Sequence, residues 1–182
     1  MIILNKTRAA FFASAIFLLI FPFCAMAFDL SELKGEVVFS SNRSGSWCIW
    51  MMQANGSEAR QITKTEADTM DVDPRFSPNA EWILFSSTRG GKTGIWKVRK
   101  DGSQPERICD GDQAEWSPDG ARIAFRRDEK IWIRDLSRNA EKAISPPDWP
   151  HCSGPSWSPD GTRISFACRW DAANALFLVD TE

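Results

Sequence analysis

A single histidine, His151, limits the chemistry open to this chain of 182 residues. A metal site or catalytic triad that needs two imidazoles is excluded, and His151 has no nucleophile and orienting acid placed to complete a triad. Two segments imitate catalytic motifs and fail. Gly90-Gly91-Lys92-Thr93 has the end of a phosphate-binding loop, but Ser86 stands where the leading glycine belongs and no helix follows. Gly154-Pro155-Ser156-Trp157-Ser158 lacks the final glycine of a nucleophile elbow and reads as a strand. Asp68, Asp71 and Asp73 are spaced like calcium ligands, yet the twelve-residue pattern and its closing glutamate are missing. A solvated acidic loop is the preferred reading. No catalytic residue, metal or cofactor is expected, and the chain is read as a non-enzyme.

Binding chemistry is better represented. Arg43, Arg89, Arg127 and Arg169 each fall shortly after an apolar stretch. They could ring a site for carboxylates, or each could pair with a neighbouring acid as a structural arginine, which is the preferred reading. Trp149, His151 and Trp170 sit in the longest segments without strand character. They serve either as exposed interface anchors or as a lid on the end of the core. Cys152 and Cys168 are equidistant from Pro159-Asp160-Gly161, which places them opposite each other across a hairpin and within reach of a disulfide. Counting from a three-residue loop makes them a hydrogen-bonded pair.

The first 27 residues are of another kind. Lys6 and Arg8 precede an apolar run from Ala9 to Phe23, and Ala25-Met26-Ala27 supplies small residues at the −3 and −1 positions of a cut before Phe28. This is the pattern of a cleavable signal peptide, with cleavage after Ala27. The run is short for a bilayer span and Pro22 interrupts it, so no membrane span is expected after cleavage. Removing these two positive charges takes the net charge from −2 to −4. An exported chain meets oxidising conditions, where its remaining cysteines can pair.

The elements that must position these residues follow from a repeat. Phe76-Ser-Pro-Asn-Ala-Glu-Trp-Ile-Leu-Phe85, Trp116-Ser-Pro-Asp-Gly-Ala-Arg-Ile-Ala-Phe125 and Trp157-Ser-Pro-Asp-Gly-Thr-Arg-Ile-Ser-Phe166 align without gaps. A fourth copy begins at its second strand, Glu36-Val37-Val38-Phe39. Each is followed by an apolar–aromatic pair (Ile49-Trp50, Ile95-Trp96, Ile131-Trp132, Leu176-Phe177). In three of them a further turn leads to a short strand. Ser-Pro-Asp-Gly suits a type I turn with glycine in the left-handed position, so Ser117 should pair with Ala121 and Ser158 with Thr162. Asn79-Ala80 lacks that glycine, and its turn is expected to be strained or reshaped. Short antiparallel strands in units of about forty residues describe a β-propeller.

These motifs, together with Ser41-Asn-Arg-Ser-Gly45 and Ser87-Thr-Arg-Gly-Gly91, resemble the WD40-like (PD40) repeat of the TolB family over residues 36–182. The expectation is an all-β chain of about four four-stranded antiparallel blades, two of them incomplete, forming a partial or small propeller. The units span about 36–64, 70–109, 112–145 and 153–182. Family members carry six blades, and TolB itself has an α/β domain for which there is no room here. The chain would then be a truncated product, a small ring closed by Phe28–Leu33, or an open arc completed by another copy, since open edges invite self-association. Loops between strands two and three and between blades share one rim, and this variable rim is where binding is expected. The resemblance implies a protein partner, within an envelope complex, for a periplasmic or secreted protein. The acidic balance disfavours nucleic acid. The propeller part of a prolyl-oligopeptidase-like hydrolase, a propeller lyase and an inactive remnant are the alternatives.

Overall fold

The structure, a computed structural model, describes residues 32–66, 68–170 and 173–181, with the backbone alone at Trp170. The expected signal peptide and residues 28–31 of the expected closing segment lie outside the described residues. Fourteen strands form four antiparallel sheets. The first holds β1 (Glu36–Ser41), β2 (Cys48–Gln53) and β3 (Arg60–Gln61). The second holds β4 (Asp71–Phe76), β5 (Trp82–Ser87), β6 (Gly94–Arg99) and β7 (Glu106–Asp110). The third holds β8 (Asp112–Trp116), β9 (Arg122–Arg127), β10 (Lys130–Asp135) and β11 (Glu141–Ala143), and the fourth β12 (Ser153–Trp157), β13 (Arg163–Trp170) and β14 (Ala173–Asp180). Every sheet meanders in chain order. Among the described residues the first sheet has no inner strand of the repeat and the fourth no outer one, which fits a partial propeller.

Alternation along the strands creates the core between the sheets. Ile49 and Met51 of the first sheet pack on Ile83, Phe85 and Val98 of the second. Leu84 and Ile95 then meet Ile123 and Phe125 of the third, and Ile131 and Ile133 meet Ile164 and Phe166 of the fourth. One face of each sheet therefore greets the sheet before it and the other the sheet after it. Burying both faces explains why these strands carry bulk on both sides. The connection from the second sheet to the third is a single residue, Gly111, at φ 133°, where a Cβ would lie 2.5 Å from the Arg126 carbonyl. Only glycine fits so abrupt a junction.

The Ser-Pro-x-x turns are one residue longer than expected. Ser117 N–H donates to the Arg122 carbonyl and Ser158 N–H to that of Arg163, each at 2.8–2.9 Å, so Ser117 does not pair with Ala121 nor Ser158 with Thr162. The reason is the side chains. Asp119 accepts from Ser117 Oγ and Ala121 N–H, while Ser117 Oγ accepts from Arg122 N–H, and together they hold a four-residue loop. Asn79 repeats this network in the turn without glycine, which keeps the same shape with Ala80 at φ 55°. The turn is strained rather than reshaped.

A bulge in each inner strand then restores the register. It falls between Val72 and Arg75, between Asp112 and Glu115, and between Ser153 and Ser156. Asp73, Gln113 and Gly154 sit there at φ 52–63°. Longer turn and bulge offset each other at the far end of the hairpin, so Cys152 still faces Cys168 and the two form a disulfide. Their Cα atoms are 4.0 Å apart and Cys152 N–H donates to the Glu129 carbonyl instead, so this is a non-hydrogen-bonded pair. The hydrogen-bonded parity inferred from a three-residue loop is corrected by the extra turn residue.

Candidate binding rim

The hairpins β1–β2, β5–β6 and β9–β10 and the linkers between sheets all emerge on one rim. Behind them lie cross-strand aromatic pairs, Phe39 opposite Trp50, Phe85 opposite Trp96 and Phe125 opposite Trp132. Over each pair an arginine is laid. The Arg43 guanidinium is 5.0 and 4.9 Å from its two ring centroids, Arg89 5.5 and 5.2 Å, and Arg127 5.4 and 4.2 Å. Arg89 pairs with Asp71, which is fully buried, and Arg127 pairs with Glu141 at 2.7 Å. Arg43 Nε donates instead to the Ser41 hydroxyl at 3.1 Å. Burial pushes the Glu141 carboxyl up, but hydrogen bonds from Arg127 and Arg134 outweigh it and hold the group below its ordinary range.

Sequence spacing grouped a fourth arginine with these three. The exposed Arg169 uses its N–H on the Pro150 carbonyl, and over the fourth pair, Phe166 opposite Phe177, lies Trp149. Its ring is 3.9 Å from Phe177 and 6.3 Å from Phe166. Trp149 thus covers the end of the core. His151 is exposed, and its Nδ1 lies 2.8 Å from Glu129 Oε1. Trp170 ends β13, where its backbone pairs with Ala173, so it belongs to a strand and not to a long loop. The acidic trio is likewise divided. Asp71 and Asp73 belong to β4, and Asp71 is buried rather than solvated.

Several residues of the expected variable loops take parts that the sequence did not single out. Lys130 Nζ donates to the carbonyls of Pro146 and Pro147, at 3.2 and 2.7 Å, and to that of Trp149. One ammonium thereby collars the linker that carries Trp149. Asp128 and Glu129 form a two-residue turn at φ 50° and 60°, a conformation usually given to Asn-Gly. They line an open cleft of about 510 Å³ together with Lys92, Asp110, Asp112 and Arg126. Arg126 grips Asp112 through two hydrogen bonds of 2.7 and 2.6 Å. Trp47 and Met70 stand exposed at 42% and 43%, and the Trp47 carbonyl accepts from Asp71 N–H. An isolated aromatic outside the repeat was the available signal for Trp47. Cys48 and Cys109 are buried free thiols, and burial pushes Cys109 up to about 12, which keeps it protonated. The rim therefore offers exposed side chains, fixed charges of both signs and a shallow cleft.

Comparison with known proteins bears on this geometry. The family model for the TolB β-propeller domain (PD40) matches residues 21–182. No curated protein sequence matches the chain. Among solved structures, TolB from Acinetobacter baumannii is similar with a TM-score of 0.68 at 22% identity, covering 80% of this chain and 38% of that one. A TolB-like protein from Agrobacterium tumefaciens gives 0.70 at 20%, covering 80% and 57%. A puromycin hydrolase gives 0.66 at 13%, covering 80% and 25%. The chain thus spans well under two thirds of the length of these structures, and at such identities the likeness is one of fold.

Proposed function

This chain belongs to the TolB β-propeller family, and from that premise we propose that it is an exported module whose variable rim binds a protein partner in the periplasm. The observation that carries the reading is the division of labour between the two rims. The Ser-Pro-x-x turns are nearly identical from sheet to sheet, whereas the opposite rim holds linkers of unequal length above aromatic pairs covered by Arg43, Arg89 and Arg127, with Lys130 holding the linker to the fourth sheet. A scaffold that repeats on one side and varies on the other concentrates recognition on the variable side. On this reading the arginines hold the loops in place and Trp47, Met70, His151 and the cleft make contact. The disulfide supports export, because such bonds persist outside a reducing cytosol.

Two measurements test the proposal. Fusion of alkaline phosphatase behind residue 182 should give active enzyme, while removal of residues 1–27 should abolish that activity. A photoreactive amino acid placed at Lys92 or Asp148 should yield a cross-linked adduct of discrete mass in cells, whereas Glu81 and Pro159, on the opposite rim, should yield none. Adducts from both rims alike, or from neither, would refute a binding role for the variable one.

A further inference from the structure

The outermost sheets are dressed for an interface that neither of them makes. Position by position, Leu176 of β14 corresponds to Ile49, Ile95 and Ile131, all three of which are 0% exposed. Leu176 is 78% exposed. Leu178 corresponds to Met51 and Ile133, at 4% and 7%, and to the half-buried Lys97 of the second sheet, and is itself 57% exposed. On the first sheet, Val37 corresponds to Ile83, Ile123 and Ile164, each at 0%, yet is 38% exposed, and its neighbour Phe39 is half-buried where Phe85, Phe125 and Phe166 are buried. The fourth sheet therefore bares the face with which each earlier sheet grips its successor. The first bares the face with which each later sheet receives its predecessor.

The other residues on these faces agree with such use. Around Leu176 and Leu178 the fourth sheet presents Ala167, Ser165 and Ser156, paired across the strands in the registers Ala167–Leu176, Ser165–Leu178 and Ser156–Ser165. None of these carries a charge, and Arg163, Asp180 and Arg169 stand at the two ends of the same face. β14 (Ala173–Asp180) holds no lysine or proline and no charged residue before its final Asp180, so it has few of the devices that usually blunt an exposed strand. By contrast, the outer strands β7 and β11 carry Glu106, Arg107, Glu141 and Lys142.

We propose that a second copy of this chain docks its first sheet on the fourth sheet of the first copy, Val37 and Phe39 against Leu176 and Leu178, continuing the sheet-on-sheet contact made three times within the chain. The contact is head-to-tail, so each copy uses two different faces and leaves one of each at the ends of the assembly. It is independent of the partner-binding reading, because the rim loops take no part in it.

Light scattering on the purified chain across micromolar concentrations is the test. The unsubstituted chain should have at least twice the mass of one chain. Leu176→Asp/Leu178→Asp and Val37→Asp should each be monomeric, with far-ultraviolet circular dichroism and unfolding midpoints close to the parent, since the substituted side chains are solvent-exposed in a single copy. Mixing the two variants should restore a species of two chains and no larger, because one live face remains on each. A monomeric parent would overturn the proposal. So would a dimer that survives Val37→Asp and is lost only with the leucine substitutions, which would mean symmetric pairing of two β14 edges.

Discussion

An arginine laid over two rings and tied to a buried acid is held by stacking and by an ion pair, and the three stacked arginines differ in that last respect. Arg89 pairs with Oδ2 of Asp71, a carboxylate with no access to water whose Oδ1 has no hydrogen-bond partner among the described residues. Replacing Arg89 by methionine keeps much of the contact with Phe85 and Trp96 but leaves a buried carboxylate unpaired, a loss of about 3 kcal/mol. Arg43→Met forfeits only stacking and a hydroxyl contact, roughly 0.5–1 kcal/mol. Urea unfolding of the two variants should show this order, and equal effects would mean that the ion pair contributes little. The turn aspartates give the molecule an acid limit. Hydrogen bonds from Ser158 and Thr162 lower Asp160 from 3.8 to about 2, and Ser117 and Ser137 lower Asp119 and Asp135 likewise. A carboxylate held down in the folded state contributes stability that is complete above the unfolded value and lost as pH falls through the folded one. Melting temperature should therefore fall between about pH 4 and pH 2, and Asp160→Ala should make that limb shallower; parallel curves would exclude the turn as a cause.

At the scale of the element, the Ser-Pro-x-x turns offer an internal comparison. Ala80 adopts the left-handed conformation that Gly120 and Gly161 occupy at no steric cost. Ala80→Gly should stabilise the protein by about 1 kcal/mol, against the usual trend for glycine, and Gly120→Ala should destabilise it by a similar amount, both measurable as shifts in denaturant midpoint. The disulfide closes a loop of sixteen residues between β12 and β13. Cys152→Ala/Cys168→Ala should cost about 3 kcal/mol by the loop-closure argument, and an unchanged midpoint would show the bridge to be redundant with the packing of Trp149. These hairpins also mark how far sequence reasoning reaches. Strand identity was legible from alternation, and so was the meeting of Cys152 with Cys168. Register near the turn was not, because hydroxyl and carboxylate side chains added a residue to the loop, and a bulge with no distinctive composition removed it again. The same holds on the rim. Arg43 and Arg89 were readable from their place just after the second strand, but Arg127 is the last residue of β9 and Arg169 lies within β13, so the expected position after the strand is corrected for both. Lys130 had no repeat partner to betray its part.

Among the described residues each sheet packs chiefly on the sheets beside it, so protection should be uneven. The first sheet has no inner strand and only two residues in its outer one, and its amides should exchange before those of β5, β6, β9 and β10. Hydrogen exchange read by mass spectrometry would check this, and uniform protection would mean a single cooperative unit. The repeat count and the incomplete end sheets were visible in the motif spacing, because strand, turn and aromatic pair recur together. Completion of an open arc by another copy was already among the expectations, but the exposure of Leu176 was not legible, since it reads in sequence like any buried leucine.

The inner-strand bulges carry a last implication. Because the kink recurs after every forty or forty-one residues, at Asp73, Gln113 and Gly154, each module arrives with its own hinge angle already built in. A gene in which that length of coding sequence is copied in tandem would add one more wedge to the arc without any new joint having to be invented, so growth by duplication is the change this architecture accepts most readily.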